Sequence, residues 1–457
     1  MIRRRSTTVA LAMLLTALAG TAAAQGRQPR SSECAGLKYS NFRLNSAKLY
    51  LDNAVYLQRT DPARSAAELG RAFQQVTDAA RTGGGDEMTQ RFFFGEIALL
   101  RGDLVGADSM FTRAEARTDS TCRREIVRLR RNDWAPLVNG AINQLAANNP
   151  DSAVALLRRS TIIFRESPVA YLRLAAIFSA RDQSDSAIVY LKLAGRSGDN
   201  PREQEFRIAA LFSAARLQQG LERWADAEAT FRDYRRLAPQ DLPGLAGFGG
   251  VLAAQDKTAE ANAVFDSLQT AADTVTSYDV LFGTATELFR VSRYPLAARL
   301  FERGLTINRC DRDGLYNLTN TYLAMRDSTR LLQSAQRLVA ADSMNRMSLE
   351  RLAAAYQISG NSQRTLAMLL RRDSLPWTFE STRFDPTDTT AALVGIVGNP
   401  LPRTLGPFTL TVEFLNGACE VIASVPVAVP ELAASGQHRF NITGRGRGIM
   451  AYRYKTS

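Results

Sequence analysis

The sequence predicts a mainly α-helical fold, an α-solenoid of about nine helix pairs followed by a small antiparallel β-sandwich. Two observations carry this prediction. Apolar and small residues recur at helical spacing in successive units of 34 to 46 residues along most of the 457-residue chain, and such a period is typical of stacked helical repeats. After residue 373 this pattern gives way to short segments in which apolar and polar residues alternate, as they do in half-buried strands.

The repeat is clearest in the segment LYNLTNTYLAMRD at residues 315–327. Leu315, Leu318 and Tyr322 follow one another at steps of three and four, which places them on one face of a helix. Thr319, a small residue, follows the second leucine and leaves room for a second helix to cross. Since a single helix pair cannot bury its own apolar face, such pairs must stack. The nine candidate units begin near residues 47, 88, 134, 168, 208, 242, 278, 312 and 346.

Turn residues divide each unit into two helices. The segments RGD at 101–103 and SGN at 359–361 are examples, because Gly, Asp and Asn end one helix and begin the next. The widest spacing, from Met88 to Trp134, leaves room for the segment CRREIVRLRRND at 122–133. We interpret this segment either as a longer connecting helix or as an interaction site with a basic face.

The units resemble the tetratricopeptide repeat (TPR). The resemblance is carried by LYNLTNTY and by FFFGEIALLRGDLVGADSMFTRA at 92–114, and it extends over residues 47–373. It implies a scaffold that binds protein or peptide segments, in which the first helix of each pair lines a concave groove. The family positions that face a bound segment are occupied here by Asn139, Arg173, Phe212, Arg216, Tyr316, Asn317, Asn320 and Arg351.

The carboxylate clamp of the TPR family is matched in part. Asn317 and Arg351 occupy two of its places. Phe282, Thr286 and Met347 stand at places where the clamp has polar or basic residues. The resemblance therefore implies a groove without a complete clamp.

The first 24 residues read as a secretory signal peptide. Three arginines at 3–5 precede an apolar run at 9–18, and three alanines at 22–24 come before Gln25. The apolar run is shorter than the roughly 20 residues that a membrane-spanning helix needs, and no later segment predicts one. We therefore expect an exported, periplasmic protein. Secretion and peripheral association with the outer membrane are the alternatives.

The remaining chain divides into four predicted parts. An N-terminal segment at 25–46 leads into the repeat array at 47–373, which is followed by a linker at 374–390 and a β-sandwich-like domain at 391–457. The linker is predicted from two prolines, and its Trp377 and Phe379 are expected to cap the last repeat. In the final domain, segments such as FTLTVEFL alternate as strands do, and the series resembles immunoglobulin-like or fibronectin-like modules of exported proteins.

The four cysteines lie far apart in the chain, and export permits disulfides. Buried free thiols and disulfides both fit this pattern. If bridges form, we favour Cys34 with Cys122, which would fix the N-terminus, and Cys310 with Cys419, which would tie the repeats to the β domain.

The sequence offers little catalytic chemistry. The single histidine, His438, excludes sites that need several histidines, and neither a phosphate-binding loop nor a nucleophile elbow is found. The net charge of +12 comes from arginines interspersed with Asp and Glu, a pattern that favours a solvated helical surface over nucleic-acid binding. We expect no catalytic residue, metal, cofactor or nucleic-acid partner.

These features predict a non-catalytic scaffold of the bacterial cell envelope that binds a protein or peptide in the groove of its repeats. One alternative is an envelope assembly or structural adaptor that uses convex surfaces or the β module. Another is a hydrolase with an unrecognised carboxylate site. The sequence identifies neither the partner nor the oligomeric state.

Overall fold

A computed structural model describes residues 34, 36–38, 40–198 and 200–456 of the chain. The predicted signal peptide therefore lies outside the described residues, as does the rest of the chain before Cys34. The described chain forms two compact units that divide between Arg223 and Trp224. None of the described helices is both long and apolar enough to span a membrane.

The first unit contains nine α-helices among its described residues, with one short 3-10 helix at Pro201–Glu203. The α-helices are α1 (Phe42–Leu57), α2 (Pro62–Arg81), α3 (Glu87–Leu100), α4 (Leu104–Glu115), α5 (Ser120–Ala146), α6 (Pro150–Ile163), α7 (Pro168–Ala180), α8 (Ser184–Arg196) and α9 (Gln204–Gly220).

The second unit continues the helical array and then changes to β-structure. Its helices are α10 (Trp224–Leu237), α11 (Leu242–Ala254), α12 (Thr258–Ala272), α13 (Tyr278–Arg290), α14 (Tyr294–Ile307), α15 (Arg312–Met325), α16 (Ser328–Ala341), α17 (Arg346–Ile358) and α18 (Ser362–Asp373). Counted along the described chain, the eighteen helices make nine consecutive pairs, which confirms the predicted helical repeat array.

The helix pairs pack through the residues that the repeat pattern singled out. Leu315, Leu318 and Tyr322 are each 2% exposed. At the position of the small residue, Gly95 lies so close to the ring of Phe111 that a methyl group there would stand 2.6 Å from it. Because interiors are closely packed, a larger residue would force these two helices apart.

The turns inside the pairs share one backbone feature. In eight of them among the described residues, the second residue before the next helix has a positive φ. Such a left-handed residue ends a helix and reverses the chain. The residues are Gly102, Asn148, Asp182, Glu222, Asp256, Ser292, Arg326 and Gly360.

The segment at 122–133 is the first half of the 27-residue helix α5 and not a separate element. One of its five arginines, Arg130, is buried. Arg130 is 7% exposed, forms an ion pair with Asp108, and donates hydrogen bonds to Thr112 Oγ1 and the Ile163 carbonyl oxygen, each at 3.1 Å. The predicted basic face is therefore partly internal. A disulfide joins Cys122 of the same helix to Cys34.

The β module contains six strands in two antiparallel sheets. The sheet orders are β1-β2-β5 and β4-β3-β6. Side chains from both sheets share one apolar core, to which Phe379, Leu393, Val412 and Tyr452 belong, the arrangement that a β-sandwich requires. The strands are β1 (Thr378–Pro386), β2 (Thr390–Gly398), β3 (Phe408–Leu415), β4 (Val421–Val429), β5 (Gln437–Arg445) and β6 (Ala451–Thr456).

The predicted linker at 374–390 differs from the structure, because most of it is strand β1. An irregularity in register between Ser381 and Arg383 interrupts the alternation of this strand, so its sequence lacks the period of two. Pro386 ends the strand, at an edge position that tolerates proline. Trp377 and Phe379 lie in the β core, so their main role is not to cap the last repeat.

A polar network in the second unit gives a pH-dependent prediction. Glu228 accepts hydrogen bonds from Lys257 Nζ at 2.6 Å, Arg232 Nη2 at 2.7 Å and Gln255 Nε2 at 2.9 Å. The bonds from Lys257 and Arg232 lower the pKa of Glu228 to about 2. Glu228 has a higher pKa in the unfolded chain, so as the pH falls it binds a proton more readily there than in the folded protein.

The stabilisation from Glu228 is complete above a pH of about 4.5 and is lost as the pH falls towards about 2. We expect Glu228→Gln to remove a contribution on the order of 1–3 kcal/mol at pH 7 and to flatten the acid limb of stability against pH. Urea unfolding between pH 3 and pH 7 measures this. Glu431→Gln, at an exposed site, is the control, and equal pH profiles for the two variants would contradict the prediction.

Candidate functional site

Four of the predicted groove residues lie in the first unit. Asn139 is half-buried on α5, and Arg173 on α7 is buried, which lowers the pKa of its guanidinium. On α9 the guanidinium of Arg216 lies 5.7 Å from the ring centre of Phe212. The structure thus brings Phe212 and Arg216 together as a stacked pair, one helical turn apart.

The other four groove residues lie in the second unit, where the structure brings three of them into contact. Arg351 of α17 donates a hydrogen bond from Nε to Asn320 Oδ1 at 2.6 Å and from Nη2 to the Tyr316 hydroxyl at 3.3 Å. Its guanidinium also lies 5.6 Å from the ring centre of Tyr316. We call Tyr316, Asn317, Asn320 and Arg351 the Arg351 cluster.

The cluster contains polar atoms that the described chain does not satisfy. The side-chain atoms Oδ1 and Nδ2 of Asn317 and Nδ2 of Asn320 are buried and have no hydrogen-bond partner among the described residues. Asn317 and Asn320 are three residues apart and so lie on the same side of α15. Buried polar groups are nearly always hydrogen-bonded, so each unpaired one needs an explanation.

The charge of Arg351 is also uncompensated. Within the described part of the chain, no carboxylate lies at ion-pair distance from it. The adjacent carboxylate, Glu350, instead contacts Arg372 Nη1 at 3.3 Å. A half-buried guanidinium that is held by neutral partners is suited to bind an anion or a carbonyl oxygen.

Phe282, which stands at another place of the clamp, packs in the core. It is 7% exposed, and its ring packs 5.7 Å from Phe301 and 5.8 Å from Tyr278. It therefore belongs to the core between α13 and α14.

A second polar group joins the β module to the helical array, and the sequence analysis missed it. Arg312, the first residue of α15, is 5% exposed. Its Nη1 lies 3.3 Å from Asp342 Oδ2, and its Nη2 donates to Ser381 Oγ at 2.8 Å. Burial alone would lower the pKa of the Arg312 guanidinium. The nearby Tyr452 and Asp342 have the larger effect and hold this pKa above its usual value.

Further bonds fix the two loops that precede α15 and α17. Before α15, Asn308 Nδ2 donates to the Met450 carbonyl oxygen at 2.9 Å, and Cys310 forms a disulfide with Cys419. Before α17, the Phe379 amide donates to the Met344 carbonyl oxygen at 3.2 Å. We call these contacts and those of Arg312 the junction. The sequence analysis points to the junction only through the favoured pairing of Cys310 with Cys419.

No family model and no curated protein sequence matches the chain. Several solved structures resemble parts of it. A tetratricopeptide repeat protein from Parabacteroides merdae ATCC 43184 is 15% identical and covers 59% of this chain and 99% of its own, with a TM-score of 0.34. Yeast Tom70 is 13% identical and covers 73% and 76%, with a TM-score of 0.34. YrrB, a TPR protein with an unusual peptide-binding site, is 16% identical and covers 36% and 84%, with a TM-score of 0.27.

Proposed function

We propose that this protein is a non-catalytic scaffold of the bacterial cell envelope that binds an extended protein or peptide segment against the first helices of its repeats. The Arg351 cluster is the observation that carries the proposal. It combines an uncompensated guanidinium with buried amide groups that have no partner in the described chain.

The chemistry of the cluster suits a peptide backbone or a carboxylate. A guanidinium donates two parallel hydrogen bonds to a carboxylate or one to a carbonyl oxygen. The stacking of Arg351 on Tyr316 holds the guanidinium in one orientation, which reduces the entropy lost on binding.

An envelope location is supported by two features. The first 24 residues have the pattern of a signal peptide. All four cysteines are paired in two disulfides, which persist in oxidising compartments such as the periplasm.

The alternative role, an adaptor that binds through convex surfaces, has its own supporting observation. On the last helix pair, Leu366 and Leu370 of α18 are 58% and 61% exposed, and Ile358 of α17 is 41% exposed. A solenoid usually ends in a repeat with a polar outer face. The exposed apolar side chains on this last pair depart from that rule, and in the adaptor role they would form the surface that contacts the partner.

We expect Arg351→Ala to weaken peptide binding at least tenfold, because a hydrogen bond to a charged group contributes roughly 1.5–3 kcal/mol. A displayed library of random decapeptides is selected for binding to this protein, used from residue 25 onwards. The probe is the single peptide that binds most tightly. Fluorescence anisotropy with the labelled probe gives the dissociation constant.

Arg364→Ala is the matched control. Arg364 stacks on Tyr356 at 5.5 Å, much as Arg351 stacks on Tyr316, but it lies on the second helix of its pair. We expect this variant to bind the probe normally. Crosslinking to partners from an envelope extract, with mass spectrometry, locates the contacts. Crosslinks confined to α18 or the β module, with unchanged binding by Arg351→Ala, would support the adaptor instead.

A further inference from the structure

The junction connects the β module to the two helices that carry the Arg351 cluster. It meets the loops that lead into α15 and α17. Arg312 lies four residues before Tyr316 on α15, and Asn345, the N-cap of α17, lies six residues before Arg351. With a rise of about 1.5 Å per residue, these separations correspond to only about 6 and 9 Å of helix.

A single carboxylate holds the three elements together. Asp342, which is 2% exposed, lies 3.3 Å from Arg312 Nη1 of α15 and accepts a hydrogen bond from Ser348 Oγ of α17 at 3.4 Å. It also accepts a hydrogen bond from the Tyr454 hydroxyl of β6. The Tyr454 hydroxyl in turn accepts a bond from the Met344 amide at 3.2 Å.

β1 provides a second attachment for α17. Asn345 Nδ2 donates to the Phe379 carbonyl oxygen at 3.4 Å, and its Oδ1 accepts from the Met347 amide at 2.9 Å. The same side chain therefore caps α17 and binds the β module. The first turn of α17 cannot shift without breaking one of these bonds.

The Arg351 cluster depends on this alignment. The bond from Arg351 to Asn320 joins α17 to α15 and is 2.6 Å long. A donor and an acceptor about 3.6 Å apart no longer form a hydrogen bond. A shift of about 1 Å between the two helices would therefore separate the groups that a ligand must contact together.

We propose that the β module is a positioning element for the Arg351 cluster, with Tyr454 and Asp342 as the positioning residues. The inference rests on the proposed function. The β module holds α15 and α17 in register at their first turns, and this register sets the affinity of the cluster for its peptide.

A double-mutant cycle tests the coupling. Tyr454→Phe removes the hydroxyl and keeps the aromatic ring, which packs 4.3 Å from Phe379. We expect it to weaken binding of the selected decapeptide three- to tenfold in the wild-type background. In an Arg351→Ala background we expect less than a twofold effect, because the aligned contact is already lost.

If Tyr454→Phe acted only by lowering the overall stability of the protein, it would weaken peptide binding by the same factor in both backgrounds. That result would overturn the proposal, and so would unchanged binding by Tyr454→Phe. Tyr234→Phe is the matched control, since the Tyr234 hydroxyl likewise donates to an aspartate at a helix end, Asp241, which is the N-cap of α11. We expect it to leave binding unchanged in both backgrounds.

One further variant keeps the proposal testable. Ser348→Ala removes the bond between α17 and Asp342 without touching the β module, and we expect it to reproduce the coupling of Tyr454→Phe. If Arg351→Ala itself does not weaken binding, the proposed function fails. If Arg351→Ala weakens binding but both junction variants act independently of it, only the positioning role fails.

Discussion

Arg130→Ala is expected to lower the free energy of unfolding of the first unit by about 3–5 kcal/mol, the usual cost of removing one partner from a buried ion pair. Arg130 is the centre of a buried network on α5. Its guanidinium contacts Asp108, Glu115 Oε2 at 3.3 Å and Thr112 Oγ1 at 3.1 Å.

The cost is large because the carboxylates around Arg130 remain when the guanidinium is removed. Without Arg130, the carboxylate of Asp108 keeps its contact with Arg165 at 2.7 Å, but Glu115 loses this neutralising charge in a half-buried site. Burial already raises the pKa of Glu115 above its usual value. The Ile163 carbonyl oxygen at the end of α6 also loses a donor, so the contact between α5 and α6 weakens.

Urea unfolding followed by the fluorescence of Trp134 measures this effect in a chain whose Trp224 and Trp377 are replaced by Phe. Trp134 packs 5.8 Å from Phe164 in the first unit. Arg131→Ala is the control, because Arg131 is exposed and stacks on Phe164 at 5.4 Å. We expect that variant to cost less than about 1 kcal/mol. Equal losses for the two variants would show that the buried network contributes no more than surface stacking does.

The double variant Cys310→Ser with Cys419→Ser is expected to lower the stability of the second unit by about 4 kcal/mol. The bridge spans 109 residues, and on the chain-entropy account a loop of about this length restricts the unfolded chain by roughly 4–5 kcal/mol. The bridge also fixes the loop before α15, where the Arg309 amide donates to the Gly417 carbonyl oxygen at 3.0 Å.

Chemical denaturation of the full mature chain with Trp134 and Trp224 replaced by Phe measures this loss, with the fluorescence of Trp377 in the β core as the probe. The double variant Cys34→Ser with Cys122→Ser removes the bridge of the first unit and serves as the control. We expect it to leave the Trp377 transition in place. A Trp377 transition unchanged by loss of Cys310 and Cys419 would mean that the junction's hydrogen bonds suffice without the bridge.

Not all of the turns and strands can be predicted from the sequence. Gly102 and Gly360 mark their turns plainly, but Glu222, Ser292 and Arg326 adopt the same left-handed backbone without the residue types that favour it. The packing of the flanking helices imposes that conformation. The sequence of strand β1 predicts a linker for a related reason, since pairing with β2 and not its own pattern makes it a strand.

The sequence by itself determined the repeat period, the buried faces of most helices and the change to β-structure after residue 373, because these depend on residues close together in the chain. It also placed Tyr316, Asn320 and Arg351 on first helices. Only the tertiary structure decided that Arg351 reaches Asn320 and that Asp342 meets Tyr454, 112 residues away. Such contacts depend on how helices and sheets are oriented in space, and a local pattern of apolar residues carries no information about that orientation.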